Sequence, residues 1–470
     1  MTASFRVSDV ADWANARIVR GDPQHAFAGV SIDSRSVGEN QLFVAIEGPR
    51  HDGHDHLEEA ASRGASGVLV AEGRSIPAAL ADRVAVLTAT DTTLALGELA
   101  SGHRRLHRGP VVAITGSNGK TTTKEMCAAI LEVAAPCLKT RGNLNNAFGL
   151  PLTLLRRDDS HRALVVELGM NHRGEIARLV QIARPTVGLI TNVGIAHIEH
   201  LGSREEIALE KGDLVAGLDP SGTAVLNADD PLVLAQAART NAAVVTFGCS
   251  VSADVRAEAI HTGEGFYTFD LVTRDARVPV RVSGLGDTTV PNALAAAAAA
   301  RSAGASHEDV ATGLAAYRPL GGRLEPIALE REILVIDDTY NANPQSMEVA
   351  LRVLSAAPTA DGGRHVAVLG DMGELGAQTE EAHRQAGALA ASLGVDEIVA
   401  VGRHAGRVAE GARAAGLSAE RIHAVEDWEQ AAAALTKRLS PGDRVLVKGS
   451  RAMRMERIVE RIADAIGRAD

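Results

Sequence analysis

Short apolar runs, each followed by a turn and then by a stretch of helical periodicity, recur along almost the whole chain. This alternation is the strongest constraint on its fold. The runs lie at 111–115, 163–168, 187–191, 224–226, 334–336, 366–369, 398–401 and 445–447. Strands that alternate with helices pair in parallel through crossover helices, so the pattern predicts an α/β protein built on parallel sheets. At 470 residues the chain exceeds what one hydrophobic core serves, and two to four domains are expected.

Three segments separate. Residues 1–85 carry a small α/β pattern of their own that ends in the apolar run 66–70 and a turn at Pro77. Residues 86–318 open with a helical stretch at 92–107 and a strand after Pro110. Within this segment polar and apolar residues alternate over 254–282 (Tyr267, Phe269, Leu271, Val278, Val280, Val282), which predicts antiparallel hairpins, and an alanine-rich helix follows at 291–303. The stretch from Tyr317 to Gly322 reads as a linker. Residues 319–470 then hold five evenly spaced β-α units, the pattern of a Rossmann-like, doubly wound domain.

Composition narrows the function classes. The net charge of −11 argues against a nucleic-acid partner. The longest apolar run, 293–300, is too short to span a bilayer, and residues 1–30 lack the pattern of a secretion signal, so no membrane insertion is expected. Three cysteines, Cys127, Cys137 and Cys249, offer neither a disulfide framework nor metal-ligand spacing, which fits a reducing, cytoplasmic setting. The histidines at 51, 54 and 56 stand beside Asp52 and Asp55 and are read as part of a turn rather than a metal site.

The sharpest local signal is the segment from Ala113 to Thr123, A-I-T-G-S-N-G-K-T-T-T. A strand runs into a glycine turn, and Lys120 and Thr121 then open a helix. Gly116 and Gly119 let backbone N–H groups approach phosphate oxygens, and the helix N-terminus adds partial positive charge. Lys120 would reach the terminal phosphates of a nucleotide, and the Thr121 hydroxyl would face a magnesium ion. Ile114 stands where the general phosphate loop has glycine, so this is a variant.

The variant T-G-S-N-G-K-T-T, from Thr115 to Thr122, resembles that of the Mur ligase family, which also includes folylpolyglutamate synthetases. Further stretches agree in the family's order: Glu167 in E-L-G-M-N, His197 ending T-N-V-G-I-A-H, Lys211 in A-L-E-K-G-D-L, N-A-D-D at 227–230, Asn292, Arg323 in G-G-R-L-E, and Asp338 in I-D-D-T-Y-N-A-N-P. One departure is visible: Gly286-Asp-Thr-Thr precedes the alanine-rich helix where the family often has a histidine.

The resemblance implies ATP as nucleotide, held by Thr115, Gly116, Ser117, Asn118, Gly119, Lys120, Thr121, Thr122, Asn292, Arg323 and Asp338. It implies Mg²⁺ on Thr121, Glu167, His197 and Lys211, the lysine being carbamylated by CO₂. Lys120, Lys211 and His197 would then carry catalysis.

Within the family several stretches resemble the member that adds D-alanyl-D-alanine to UDP-N-acetylmuramoyl-tripeptide. They are D-S-R with L-F-V-A-I-E-G and D-G-H-D, T-R-G-N-L-N-N, Y-N-A-N-P, L-G-D-M-G-E-L and V-K-G-S-R. The D-x-x-R substrate motif usual in a sister ligase is not found in the last segment. The implied substrate residues are Ser34, Arg35, Asn143, Asn145, Asn146, Tyr340, Asn341, Asn343, Ser450 and Arg451. The chemistry expected is phosphorylation of a peptide carboxylate by ATP, then attack by the dipeptide amine. The chain would act as a cytoplasmic monomer between these two substrates. Another Mur-type or folylpolyglutamate-type ligase is the alternative, and a phosphate-loop kinase a more distant one.

Overall fold

The computed structural model describes residues 4–49, 51–80, 83–195, 198–359 and 362–469. Its sheets follow the apolar runs. In the first domain five strands, β1 (Arg17–Arg20), β2 (Val30–Ser31), β3 (Gln41–Val44), β4 (Ala65–Ala71) and β5 (Ala85–Ala89), form a sheet in the order β1-β5-β4-β3-β2, parallel except at β1. β5 therefore completes the first sheet, and the sequence boundary at 85 falls four residues short of the strand's end at Ala89. The strand is short, and Asp91 caps the next helix almost at once by accepting from Thr93 and Leu94 N–H. That closeness conceals the break.

Helix α1 (Val7–Ala14) packs on α2 (Thr92–Arg104), which joins the first domain to the second. The buried Arg104 guanidinium donates to the carbonyls of Ala183 (2.8 Å) and Arg184 (3.0 Å) and so pins this joint.

The central domain is a nine-stranded sheet. It comprises β6 (Val111–Thr115), β7 (Cys137–Lys139), β8 (Ala163–Glu167), β9 (Val187–Ile190), β10 (Thr223–Asn227), β11 (Ala243–Gly248), β12 (Val255–Gly263), β13 (Phe266–Val272) and β14 (Arg277–Ser283). Its order is β14-β13-β12-β11-β10-β9-β6-β8-β7, parallel through β12 and antiparallel across the last two pairs, as the alternation at 254–282 predicts. On its faces lie α3 (Lys120–Glu132), α4 (Glu175–Ala183), α5 (Arg204–Ala216), α6 (Thr289–Ser302) and α7 (His307–Ala316). The residues Ala293 to Ala300 of α6 are all buried, between α3 and the sheet. A helix apolar all round is a core helix, and alanine lets it sit close.

The third domain contains β15 (Glu325–Ala328), β16 (Leu334–Asp338), α8 (Pro344–Ala356), β17 (His365–Gly370), α9 (Thr379–Ser392), β18 (Glu397–Val401), α10 (Ala405–Ala414), β19 (Ile422–Val425), α11 (Trp428–Arg438), β20 (Arg444–Lys448) and α12 (Glu456–Ile466). Its sheet order is β15-β16-β20-β17-β18-β19, and every pair beyond the β15 edge is parallel. The five β-α units are those read from the sequence. The carboxyl ends of β16, β17 and β20 face the central domain, at the place where open parallel sheets bind ligands. Among the described residues no helix is long and apolar enough to cross a membrane.

Two glycines allow α9 and α10 to touch. A Cβ at Gly387 would lie 1.9 Å from the Val408 carbonyl oxygen, and one at Gly411 would lie 1.8 Å from that of Arg384. Gly387→Ala should therefore lower stability by about 1–3 kcal/mol, as overpacking does, read as a lower midpoint of thermal unfolding. Gly406→Ala, in the same helix pair with open space around it, should be neutral or stabilise by about 0.4–1 kcal/mol.

Candidate active site

The phosphate loop leaves the buried strand β6 at Thr115, whose hydroxyl donates to the Leu168 carbonyl (2.8 Å). The chain must then reverse without room for side chains. Gly116 has φ +150°, and a Cβ there would sit 1.8 Å from Thr191 Oγ1. Gly119 has φ +79°, and its Cβ would lie 2.3 Å from Asn292 Oδ1. Asn292, at the head of α6, also accepts from the Thr123 hydroxyl (3.3 Å). The sequence-implied nucleotide residues of the central domain are thus brought together.

The loop is braced from outside by the 191–194 segment. Ser117 N–H donates to the Asn192 carbonyl (2.9 Å) and Asn118 N–H to Asn192 Oδ1 (2.9 Å), while the Asn118 carbonyl accepts from Thr191 Oγ1 (2.7 Å) and Asn192 Nδ2 (3.0 Å). The amides of Ser117 and Asn118 are therefore engaged within the protein. The first turn of α3, Gly119 to Thr122, is where helix geometry leaves N–H groups that an anion could take. The N-A-D-D stretch supports the brace: Asn227 Nδ2 donates to the Thr191 carbonyl (2.8 Å), and Asp230 Oδ2 accepts from Val193 N–H (2.8 Å).

Lys120 folds onto its own loop and donates to the Gly116 (2.7 Å) and Ser117 (3.2 Å) carbonyls. Burial draws its pKa down, Glu167 opposes this, and Arg323 adds to it. Thr121 donates its hydroxyl to Glu167 Oε2 (2.7 Å) and accepts from Arg323 Nη2 (2.8 Å). Glu167, 2% exposed at the end of β8, takes Asn145 Nδ2 on its other oxygen (2.8 Å). Lys211, on α5, is also 2% exposed, and burial together with the Lys120 charge pushes its pKa well below the usual lysine range. No hydrogen bond to its ammonium is found among the described residues. Its neighbour Glu210 instead caps α4, accepting from Gly174 and Ile176 N–H (both 2.8 Å). His197 lies outside the described residues.

Lys124 is a residue that sequence reasoning missed. It is fully buried, donates to the Thr140 carbonyl (2.6 Å) and pairs with Glu125 (2.7 Å). Thr140 Oγ1 in turn accepts from Glu167 N–H (3.0 Å). Lys124 thereby props the T-R-G-N loop that holds Glu167.

Of the third-domain candidates, Arg323 stacks over the Tyr340 ring (4.0 Å). Asp338 pairs with the buried Lys448 (2.5 Å), which also donates to the Asn341 carbonyl (2.9 Å). Asn343 caps α8 by accepting from Ser346 N–H (2.9 Å). Ser450 N–H donates to the Asp371 carbonyl (2.9 Å), and Arg451 pairs with Glu456 (3.1 Å) in solvent. Asn146 Oδ1 accepts from Phe148 (3.2 Å) and Gly149 (2.9 Å) N–H where the helix Gly149–Leu154 begins, and Asn143 stays exposed.

Ser34 and Arg35 form a separate cluster in the first domain. Ser34 donates to Glu59 (2.8 Å), and Arg35 grips Asp33 with two hydrogen bonds, holding that carboxyl down at about 2. In the D-G-H-D turn, His54 Nδ1 meets Asp52 (2.6 Å) and Nε2 accepts from Ala71 N–H (3.0 Å), so the histidine has a structural role. Between the second and third domains a cavity of about 340 Å³ opens, lined by Thr121, Lys139, Arg141, Leu320, Arg323 and Tyr340.

Three family models match the chain: the Mur ligase family catalytic domain at residues 26–104, the Mur ligase middle domain at 114–300, and the Mur ligase glutamate ligase domain at 322–451. The chain belongs to the Mur ligase family. Among this family's curated members it is 37% identical to the UDP-N-acetylmuramoyl-tripeptide–D-alanyl-D-alanine ligase of Escherichia coli (strain K12), over 98% of this chain and 99% of that one. It is 34% identical to the ligase of the same name from Bacillus subtilis (strain 168), over 96% and 97%. Of solved Mur ligases, MurF from Acinetobacter baumannii superposes with a TM-score of 0.89 at 33% identity over 98% and 99% of the two chains. MurF from Thermotoga maritima in complex with ADP gives 0.80 at 30% over 93% and 97%.

For a Mur ligase the approach of Gly119 to Asn292 has a direct test. Gly119→Ala must tolerate a left-handed residue, at about 1–2 kcal/mol, and displace Asn292. Its affinity for magnesium ADP, measured by calorimetric titration, should fall about tenfold or more, equivalent to about 1.4 kcal/mol. Unchanged affinity would show that this contact does not shape the nucleotide site.

Proposed function

We propose that the chain is an ATP-dependent ligase that joins D-alanyl-D-alanine to UDP-N-acetylmuramoyl-tripeptide through an acyl phosphate, releasing ADP and phosphate and giving the pentapeptide precursor of peptidoglycan. One observation carries the chemistry: the Thr121 hydroxyl lies between Glu167 of the central domain and Arg323 of the third. The substrates follow from likeness to ligases of that name over nearly the full chain.

A peptide carboxylate is a poor electrophile, and phosphorylating it brings two anions together. The protein's task is alignment and charge compensation. In this reading the first turn of α3 binds the triphosphate and Lys120 turns from its own carbonyls to the terminal phosphate. Arg323, steadied on the Tyr340 ring, neutralises charge from the opposite side. Asn292 contacts the base and Asp338 the ribose.

The donors around Thr121 suit magnesium, since a hydroxyl and a buried carboxylate are hard oxygen ligands. Thr121 and Glu167 would hold one ion, a carbamylated Lys211 would serve a second, and His197 would belong to one of the two. Bound there, the ions would offset the negative charge of the phosphates.

Arg35 is the cation for the diphosphate of the uridine substrate. Its pair with Asp33 is exposed, and exposed ion pairs are worth only about 0–1 kcal/mol, so a diphosphate can displace the partner. Arg451 takes the dipeptide carboxylate by the same reasoning, whereas Lys448 is buried against Asp338. In this reading the asparagines at 143, 145 and 146, with Tyr340, Asn341 and Ser450, also serve the two substrates.

Phosphate release from ATP in the presence of the tripeptide nucleotide should depend on D-alanyl-D-alanine. Release indifferent to the dipeptide would defeat the ligase reading. Lys211 offers a second test. Burial and the Lys120 charge favour its neutral amine, the form that captures CO₂. Lys211→Ala should lose at least about 10²-fold in turnover and recover part of it with short carboxylic acids. A folded variant that no acid rescues would count against the carbamate.

A further inference from the structure

The third domain meets the phosphate loop through a neutral amide contact. Asn118 Nδ2 donates to Gln345 Oε1 (3.2 Å), and Asn118 Oδ1 accepts from Asn343 Nδ2 (2.8 Å). Both third-domain partners sit at the start of α8, where Asn343 is the N-cap and Pro344 the first helical residue, so the helix fixes their spacing. The Asn118 backbone is itself clamped by Thr191 and Asn192. Gln345 also lies flat on the bracing segment: a Cβ at Gly194 would fall 1.8 Å from its Oε1 and 2.8 Å from its Cδ. Gly194 N–H donates to Ser117 Oγ (2.8 Å). One third-domain side chain therefore reads the positions of both the phosphate loop and its brace.

We propose that Gln345, with Asn343, is a positioning residue for the ligation step. The pair seats the third domain on the phosphate loop, so that the strand ends bearing Asp338, Lys448 and Ser450 stand over Thr121 and Glu167 when the dipeptide amine attacks. Gln345 touches no reacting group. Its effect is on the distance between two half-sites carried by different domains, where a shift of about 1 Å costs about 10²-fold in rate. The contact is uncharged, so it holds whether or not phosphates fill the loop, and it suits a seam that must form with each closure. The inference rests on the third domain carrying the dipeptide.

The experiment uses the full chain with both substrates. Gln345→Ala should lower kcat/KM for D-alanyl-D-alanine about tenfold while the affinity for the tripeptide nucleotide changes less than about twofold and that for magnesium ADP, which Arg323 and Asp338 also approach from the third domain, falls clearly less than kcat/KM. Gln345→Met, equal in length but without an acceptor, should show the same loss. Gly194→Ala should lose about as much in the wild-type background and nothing further beside Gln345→Ala, because both act on one contact. Additive losses would overturn the proposal, as would full activity in Gln345→Met or an equal fall in ADP affinity. Were the wild-type chain itself to show no dipeptide-dependent phosphate release, the ligase reading would fail. A normal wild-type chain matched by Gln345→Ala would overturn the positioning role alone.

Discussion

The hydroxyl of Thr121 is the point on which the active centre depends. It can donate one hydrogen bond, and it gives that bond to Glu167 while accepting from Arg323. A carboxylate from β8 and a guanidinium from the third domain are thereby held on one oxygen at the first turn of α3. Because Arg323 comes from beyond the linker, this cluster of three side chains is complete only when the third domain is in contact.

Three lysines surround this point, Lys124 and Lys211 buried and Lys120 partly buried, and each is handled differently. Lys124 is paired with Glu125 and bonded to Thr140, so its charge is compensated and it serves as a strut. Lys120 donates to carbonyl groups of its own loop, and burial and the Arg323 charge weaken it as a cation. Lys211 has its charged form suppressed by burial and by Lys120. Burying an ammonium without a partner is costly, and among the described residues none bonds to the Lys211 side chain, which sets it apart from Lys124. The segment 191–194 keeps these groups in register by engaging the amides of Ser117 and Asn118.

Much of the fold was legible because buried parallel strands are continuous apolar runs. Those at 111–115, 334–336 and 445–447 became β6, β16 and β20, and the hairpins at 254–282 showed the period of two that half-exposed antiparallel strands require. The end of the first domain was missed by a few residues because β5 and the cap at Asp91 adjoin. Lys124 was invisible, since a lysine in a run of threonines on a helix reads as solvated until packing shows no solvent there. The phosphate loop was recognisable, yet the engagement of its first two amides by Asn192 depends on a segment some seventy residues away.

By itself the sequence determined the elements and the chemistry they carry: glycines where φ must be positive, a lysine and a threonine opening a helix, a carboxylate at a strand end. Local stereochemistry and hydrophobic periodicity act over a few residues, and they suffice for that. Only the tertiary structure decided which groups share a partner: Thr121 with Glu167 and Arg323, Asn118 with Asn343 and Gln345, Lys448 with Asp338. Those choices rest on where burial removes water from a polar group and which other group lies within about 3 Å to replace it, and that distance is a property of the packed chain.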